Sequence, residues 1–280
     1  MVRKPVFWDE GEYMKLFGIY KRNKGIEHTG FQFYGSGIHS RSDEEMRAIN
    51  AEEADAAFKR CKKEILDAYM KEKGFSKHNT ANYARLNDIG LIEYVNLQKE
   101  ARGSRTVTLN ISLFPLYAPH PFITIGFGER IGELAGGRDF WWDYKDADTA
   151  KLSFENIVSA LEECVMPWFA RYNNETLYEE DLHIEKYRIG HHAIIWRTHL
   201  HIKNHDIEGA NCYLDSVSSI PFHHGAAESQ KLDRDAKIKE MKLLLNGLDN
   251  IDQYISAVKS QNIEKLKLPA KLKNNANPKF

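Results

Sequence analysis

The sequence predicts an α+β fold: an antiparallel sheet backed by helices, followed by a mostly helical C-terminal unit. Three patterns predict it. Residues 105–114 alternate, with Val107, Leu109, Ile111 and Leu113 on one face and Thr106, Thr108, Asn110 and Ser112 on the other. Two segments, 50–73 and 154–172, repeat apolar side chains every three or four positions, as amphipathic helices do. The strand-like segments follow one another as a meander rather than alternating with helices, which favours antiparallel pairing.

A chain of 280 residues buries roughly three quarters of the surface its unfolded form exposes. It needs neither a disulfide nor a metal to stay folded. The formal net charge of -1 and pI near 6.9 offer no overall basic face for tracking along nucleic acid. Cys61, Cys164 and Cys212 are far apart, odd in number and set in apolar periodic stretches. They read as three small buried hydrophobes in a reducing cytoplasm. The N-terminus has no uninterrupted apolar core of a signal peptide. No run of about 18 apolar residues signals a membrane span.

In chain order, residues 1–49 are dense in aromatics, among them Phe7, Trp8, Tyr13, Phe17 and Tyr20, and are expected to pack on the main body, with an exposed arm that meets a partner as the alternative. Asn50 is a suitable N-cap for a helix over 50–73, with Glu53 at the third position. Phe58, Cys61, Ile65 and Tyr69 form its apolar stripe, and Gly74 stops it. A short strand is expected at 82–86 and a longer one at 91–99. In the latter, Leu91, Val95 and Leu97 oppose Ile92, Tyr94, Asn96 and Gln98. After a turn at 101–104 comes the alternating strand, whose pattern predicts one face on the core and one in water. Pro115 to Pro121 break it, and Phe122 to Phe127 suggest a fourth strand. Phe154, Ile157, Leu161, Val165, Trp168 and Tyr172 line a second helix that Pro167 kinks or restarts. Residues 189–219 fit a helical hairpin, with Asp206 capping its second arm, but 189–203 also alternate as a strand would. Helices follow at 226–246, with Ile238, Met241, Leu244 and Leu245 inward, and at 251–258. Residues 271–280 read as a flexible tail. The domain plan is therefore an N-terminal segment (1–49), an α+β core (50–175), a helical region (176–270) and a tail (271–280).

Chemical motifs are sparse. The histidines cluster as His191-His192, His199-x-His201, His205 and His223-His224. They lack metal-site spacing and read as polar-face histidines. Gly126-x-Gly128-x-x-x-Gly132 is one residue too long for a dinucleotide fingerprint and sits in no βαβ unit. The paired carboxylates Glu52-Glu53, Glu162-Glu163 and Glu179-Glu180 read as solvated helix faces. The sheet offers a richer set. Arg85, Asn96, Gln98, Thr108 and Asn110 are expected to converge on one surface, with donors and acceptors for a partner. Arg130 and the Trp141-Trp142 pair are expected at its rim.

Several fragments then occur in order: Gly74-Phe75, Tyr83-x-Arg85, Val95-Asn96-Leu97-Gln98-Lys99, Thr108-Leu109-Asn110, Glu129-Arg130-Ile131-Gly132, Trp141-Trp142 and Pro167-Trp168-Phe169. Over about residues 57–172 the chain resembles the bacterial Domain of Unknown Function family 4304. The resemblance implies an α+β domain of bacterial cytoplasmic proteins and brings no catalytic residues. The expectation is a non-catalytic protein-binding protein with Arg85, Asn96, Gln98, Asn110, Arg130, Trp141 and Trp142 as its binding residues. Its specific form is an immunity-type protein that neutralises a toxin. No cofactor, metal, membrane or nucleic-acid partner is expected, and oligomeric state is left open. The alternatives are an enzyme acting on a small polar substrate at the polar sheet face, and a structural subunit of a larger assembly.

Overall fold

Asn50 opens the first helix by accepting the Glu53 amide at 3.2 Å. This helix, α1 (Ala51–Cys61), runs through a π-helical turn (Lys62–Leu66) into α2 (Asp67–Glu72). A π turn inserts an extra residue into the helical repeat. The buried stripe is therefore Phe58, Cys61, Leu66 and Met70, not the Phe58, Cys61, Ile65, Tyr69 series that unbroken periodicity predicts. Ile65 and Tyr69 are only half-buried. Gly74, with φ +83°, ends the helix in the left-handed region. The computed structural model describes residues 50–101, 103–120, 127–136, 139–182, 191–219 and 228–268. The expected packing of segment 1–49, most of the strand expected at 122–127 and the tail at 271–280 lie outside them.

Six antiparallel strands follow: β1 (Ser76–Lys77), β2 (Asn82–Leu86), β3 (Leu91–Lys99), β4 (Thr106–Pro115), β5 (Phe127–Arg130) and β6 (Trp142–Asp143). They pair in the order β1-β2-β3-β4-β5, and β6 also pairs with β4. A short helix, α3 (Ile131–Gly136), joins β5 to β6. The register aligns Tyr83, Val95, Ile111 and Glu129 across the sheet, and Asn82, Asn96, Asn110 and Arg130 one step away. Each row lies on its own face, because side chains alternate along a strand.

The face carrying Tyr83, Val95 and Ile111 lies against helices. Tyr83 donates to Asp67 at 2.5 Å, and Phe127 packs on Trp168 and Tyr172. These last two come from the second long helical run: α4 (Ala147–Ala160), another π turn (Leu161–Val165) and α5 (Met166–Arg171). Asp146 and Thr149 form a capping box at its start. Pro167 directly follows the π turn within this continuous run, near the start of α5, and its missing amide leaves a gap in the helical hydrogen-bond ladder there. Phe58 and Phe154 join the two runs, ring centroids 5.3 Å apart.

The opposite face is not open to water as the alternation predicts. All ten residues of β4 are buried. Phe114 packs on His120, and His120 on Trp196, at centroid distances of 5.1 and 5.4 Å. Asn262 donates to the carbonyls of Leu116 and Ala118 at 2.8 and 2.7 Å. A second layer of helices thus covers this end of the sheet.

The C-terminal helices are α6 (Glu175–Asp181), α7 (His191–Lys203), α8 (Ile207–Ser219), α9 (Glu228–Asn246) and α10 (Ile251–Lys265); α7 and α10 reach this face through Trp196 and Asn262, whereas α6 packs Tyr178 on Phe127. The ambiguous segment is the helical hairpin, not the strand: Ala193, Trp196 and Leu200 are buried on one helical face. The turn passes through His205 at φ +57°, and Asp206 caps α8 by accepting the Gly209 amide at 2.8 Å. On α9, Ile238, Met241 and Leu245 face inward, while Leu244 is half-buried. The last helix runs past Val258 to Lys265 because Asn262 and Ile263 are also buried. Cys61 and Cys164 are buried, but Cys212 is exposed, contrary to expectation. Among the described residues no helix is long and apolar enough to cross a membrane.

Candidate binding face

Cross-strand register builds the site. Asn82, Asn96, Asn110 and Arg130 stand opposite one another on β2, β3, β4 and β5. Neighbouring side chains at such positions are within hydrogen-bonding reach. Asn96 donates to the Asn82 carboxamide. Asn110 donates to Asn96 at 2.9 Å and to Gln98 at 2.8 Å. Arg130 Nε points at Asn110 Oδ1, 3.4 Å away. Its guanidinium also pairs with Asp139 and lies 5.2 Å from the Trp141 ring centroid. Trp141 donates its indole N–H to the same carboxylate at 3.2 Å.

The row continues beyond Asn82. Burial pushes the Tyr94 phenol up, against the pull of a hydrogen bond from Asn82. His78 lies 3.0 Å from the Tyr94 hydroxyl and 2.8 Å from the Leu266 carbonyl. A carbonyl only accepts, so His78 Nε2 carries the proton. Its Nδ1 is then free to accept from Tyr94 in the neutral ring. Read this way, donors point in one direction from Arg130 to Leu266, and the members of such a chain polarise one another.

Asn96, Gln98, Asn110, Arg130 and Trp141 therefore come together as expected. Two of the seven expected residues do not. Arg85 stands opposite Glu93, on the helix-covered face. It donates to Glu93 at 2.5 Å and to the Lys73 carbonyl at 2.6 Å, and lies over the Phe75 ring. Its side follows from the pairing register with β3, which the alternation of a five-residue strand does not reveal. Trp142 pairs opposite Val107 and is fully buried, donating to Asn156 at 2.5 Å. It belongs to the core; only Trp141 meets Arg130. Thr108 is also buried, its hydroxyl donating to the Phe140 carbonyl at 2.8 Å. Asn82 and Asp139 were not among the expected residues. Asp139 was accessible to sequence reasoning through its place two residues before Trp141. Asn82 becomes visible only once the register is known.

The other motifs resolve into packing. Gly128 crosses β4 so closely that a Cβ would stand 2.0 Å from the Ile111 carbonyl oxygen, which accounts for a glycine there without a nucleotide. The histidines are not all polar-face residues. His199 and His120 are buried, and His199 lies between the Ile195 carbonyl and the Tyr254 hydroxyl at 2.7 and 2.8 Å. Burial pushes both imidazoles down to about 4. Among the paired carboxylates, Glu162 accepts from Tyr69 and Lys73, and Glu179 from Arg197.

No curated protein and no solved structure matches this chain significantly. The family comparison covers the sheet and all seven expected binding residues. From the end of the first π turn through α5, residues 66–171 match the family described as Domain of unknown function (DUF4304), in agreement with the resemblance read from residues 57–172.

Proposed function

We propose that this is a non-catalytic protein-binding protein whose contact surface is the carboxamide row ending at Arg130 and Trp141. The observation that carries the reading is pre-organisation. Asn82, Asn96, Gln98 and Asn110 hold one another in place, so a partner meets fixed donors and acceptors and little side-chain entropy is lost on binding. Arg130 stands at the edge of the row with its side chain 35% exposed, and arginine is a frequent interface anchor. Neutralisation of a toxin is the specific form of this reading. The test is to tag the full chain, express it in its native cells and identify what co-purifies. A stoichiometric protein partner that is lost in Asn96→Ala and Arg130→Ala supports it. A partner retained by both variants removes the row from the interface.

A structural subunit of an assembly is the second reading, favoured by one feature of α9. Leu232 and Leu243 are each 63% exposed. Eleven positions apart, they fall on the same side of the helix. A solution mass of a clean monomer sinks this reading.

A further inference from the structure

We propose that the junction of the turn after β4 with α6, α7 and α10 is a binding site for a phosphate-type oxyanion. Four segments meet there and carry Tyr117, Tyr178, Lys203 and Lys259: Lys203 lies over the Tyr117 ring and pairs with Glu175 on α6, and α10 bonds through Asn262 to the carbonyls flanking Tyr117. The two phenols are fully buried, and neither hydroxyl has a hydrogen-bond partner among the described residues. A buried donor left unpaired is costly and rare, so a pair of them needs an explanation.

The surroundings say what would satisfy them. Lys203 Nζ lies 5.3 Å from the Tyr117 ring centroid and pairs with Glu175 on α6. Asn262 clasps the carbonyls on either side of Tyr117. Lys259, three residues earlier on α10, shares its helix face. Lys259 is half-buried and has no ion pair among the described residues. Burial lowers its pKa, and the positive charge of Lys203 lowers it further. Burial holds Tyr117 far from ionising, helped by Tyr178, Glu175 and Glu179. The two phenols are thus O–H donors and the lysines N–H donors. Glu175 offsets one of the two cations, which leaves Lys259 as the excess charge.

An anion with several acceptor oxygens fits this set. It would give each phenol an acceptor and separate two like charges. A neutral polar ligand would satisfy the hydroxyls and leave the lysines repelling one another. An exposed lysine pair would bind any counterion weakly, but phenols sealed from water add direction to the site. Charge-assisted bonds of this kind are also the stronger ones.

The test uses the full chain at pH 7 and constant ionic strength. Inorganic phosphate is titrated calorimetrically against a chloride control, and phenyl phosphate is run in parallel. Saturable phosphate binding is expected. Tyr178→Phe and Lys259→Met are each expected to weaken it about tenfold or more, the size of a lost bond to a charged group. Lys239→Met, on α9, should bind as the parent does. Without phosphate, Tyr178→Phe should melt at the same temperature as the parent or higher, because it removes an unpaired buried hydroxyl. Tighter binding of phenyl phosphate assigns the site to phosphate monoesters, and weaker binding to the free anion. Absence of saturable binding of both overturns the proposal. So does equal weakening by Lys239→Met, or a Tyr178→Phe protein that is folded and binds phosphate as the parent does.

Discussion

Glu93 shows how much one buried charge depends on its neighbour. Its side chain is 4% exposed, while Arg85, its partner at 2.5 Å, is 31% exposed. Burial pushes the carboxyl up and Arg85 holds it down. Arg85→Ala leaves a carboxylate in the core, which at neutral pH should cost about 2–3 kcal/mol after discounting for the exposed side of the pair. Urea denaturation measures it, and the loss should shrink as pH falls and Glu93 takes up a proton. His120 and His199 set a second dependence. An unfolded imidazole titrates near 6.5, whereas these two fold with values of about 4. Above about pH 6.5 both states are neutral and stability is full. Between 6.5 and 4 only the unfolded chain gains these protons, so stability falls as pH falls. The loss is roughly 3 kcal/mol at most for each histidine. Urea midpoints from pH 7.5 to 5 should drop, and His120→Phe should remove about half of this slope. At this scale the sequence was partly legible. The residue types of the carboxamide row could be read from it. Which face Arg85 takes, and that His120 and His199 are buried, depend on strand register and on helices distant in sequence.

The two long helices share one departure from regularity. Each is interrupted by a π turn, at Lys62–Leu66 and at Leu161–Val165. In the first, the buried positions step from Cys61 to Leu66 to Met70. Deleting exposed Glu64 would turn that spacing into two steps of four, which a regular α-helix accommodates. The deletion should therefore leave near-ultraviolet circular dichroism intact and lower the melting temperature by only a few degrees. Deleting Ala57 should unfold the protein, because it rotates the upstream stripe off the core. A comparable loss from both deletions would show that the π turn does not act as a single inserted residue. Helix positions were legible because caps and stops are local: Asn50, Gly74 and Asp206 act within a turn of themselves. The π turns were not, because an inserted residue leaves no compositional mark. Periodicity therefore chose Ile65 and Tyr69 where the structure buries Leu66 and Met70.

Across the whole molecule, Asn262 ties the last helix to the turn after β4. It donates to Leu116 and Ala118, and its side-chain oxygen accepts the His120 amide at 3.2 Å. Asn262→Ala leaves these backbone groups buried and unpaired, an expected loss of about 2–4 kcal/mol. Hydrogen exchange should show α10 losing protection before the sheet does; uniform loss would mean that α10 does not open separately. The α+β class and the helical C-terminal region were legible from periodicity. The second helical layer was not, because a strand alternating Thr, Asn and Ser with apolar residues looks half-solvated. Here Thr108 gives its hydroxyl to the Phe140 carbonyl and Asn110 gives its amide to Asn96 and Gln98, so both are satisfied without water. The strand that results, Thr106–Pro115, is buried along its whole length and carries no charged residue. Once its coverings separate, it becomes a ten-residue, charge-free β segment, the kind that stacks with copies of itself. The helices on either side therefore protect solubility as well as shape, and partial unfolding carries a risk of aggregation that rises with protein concentration.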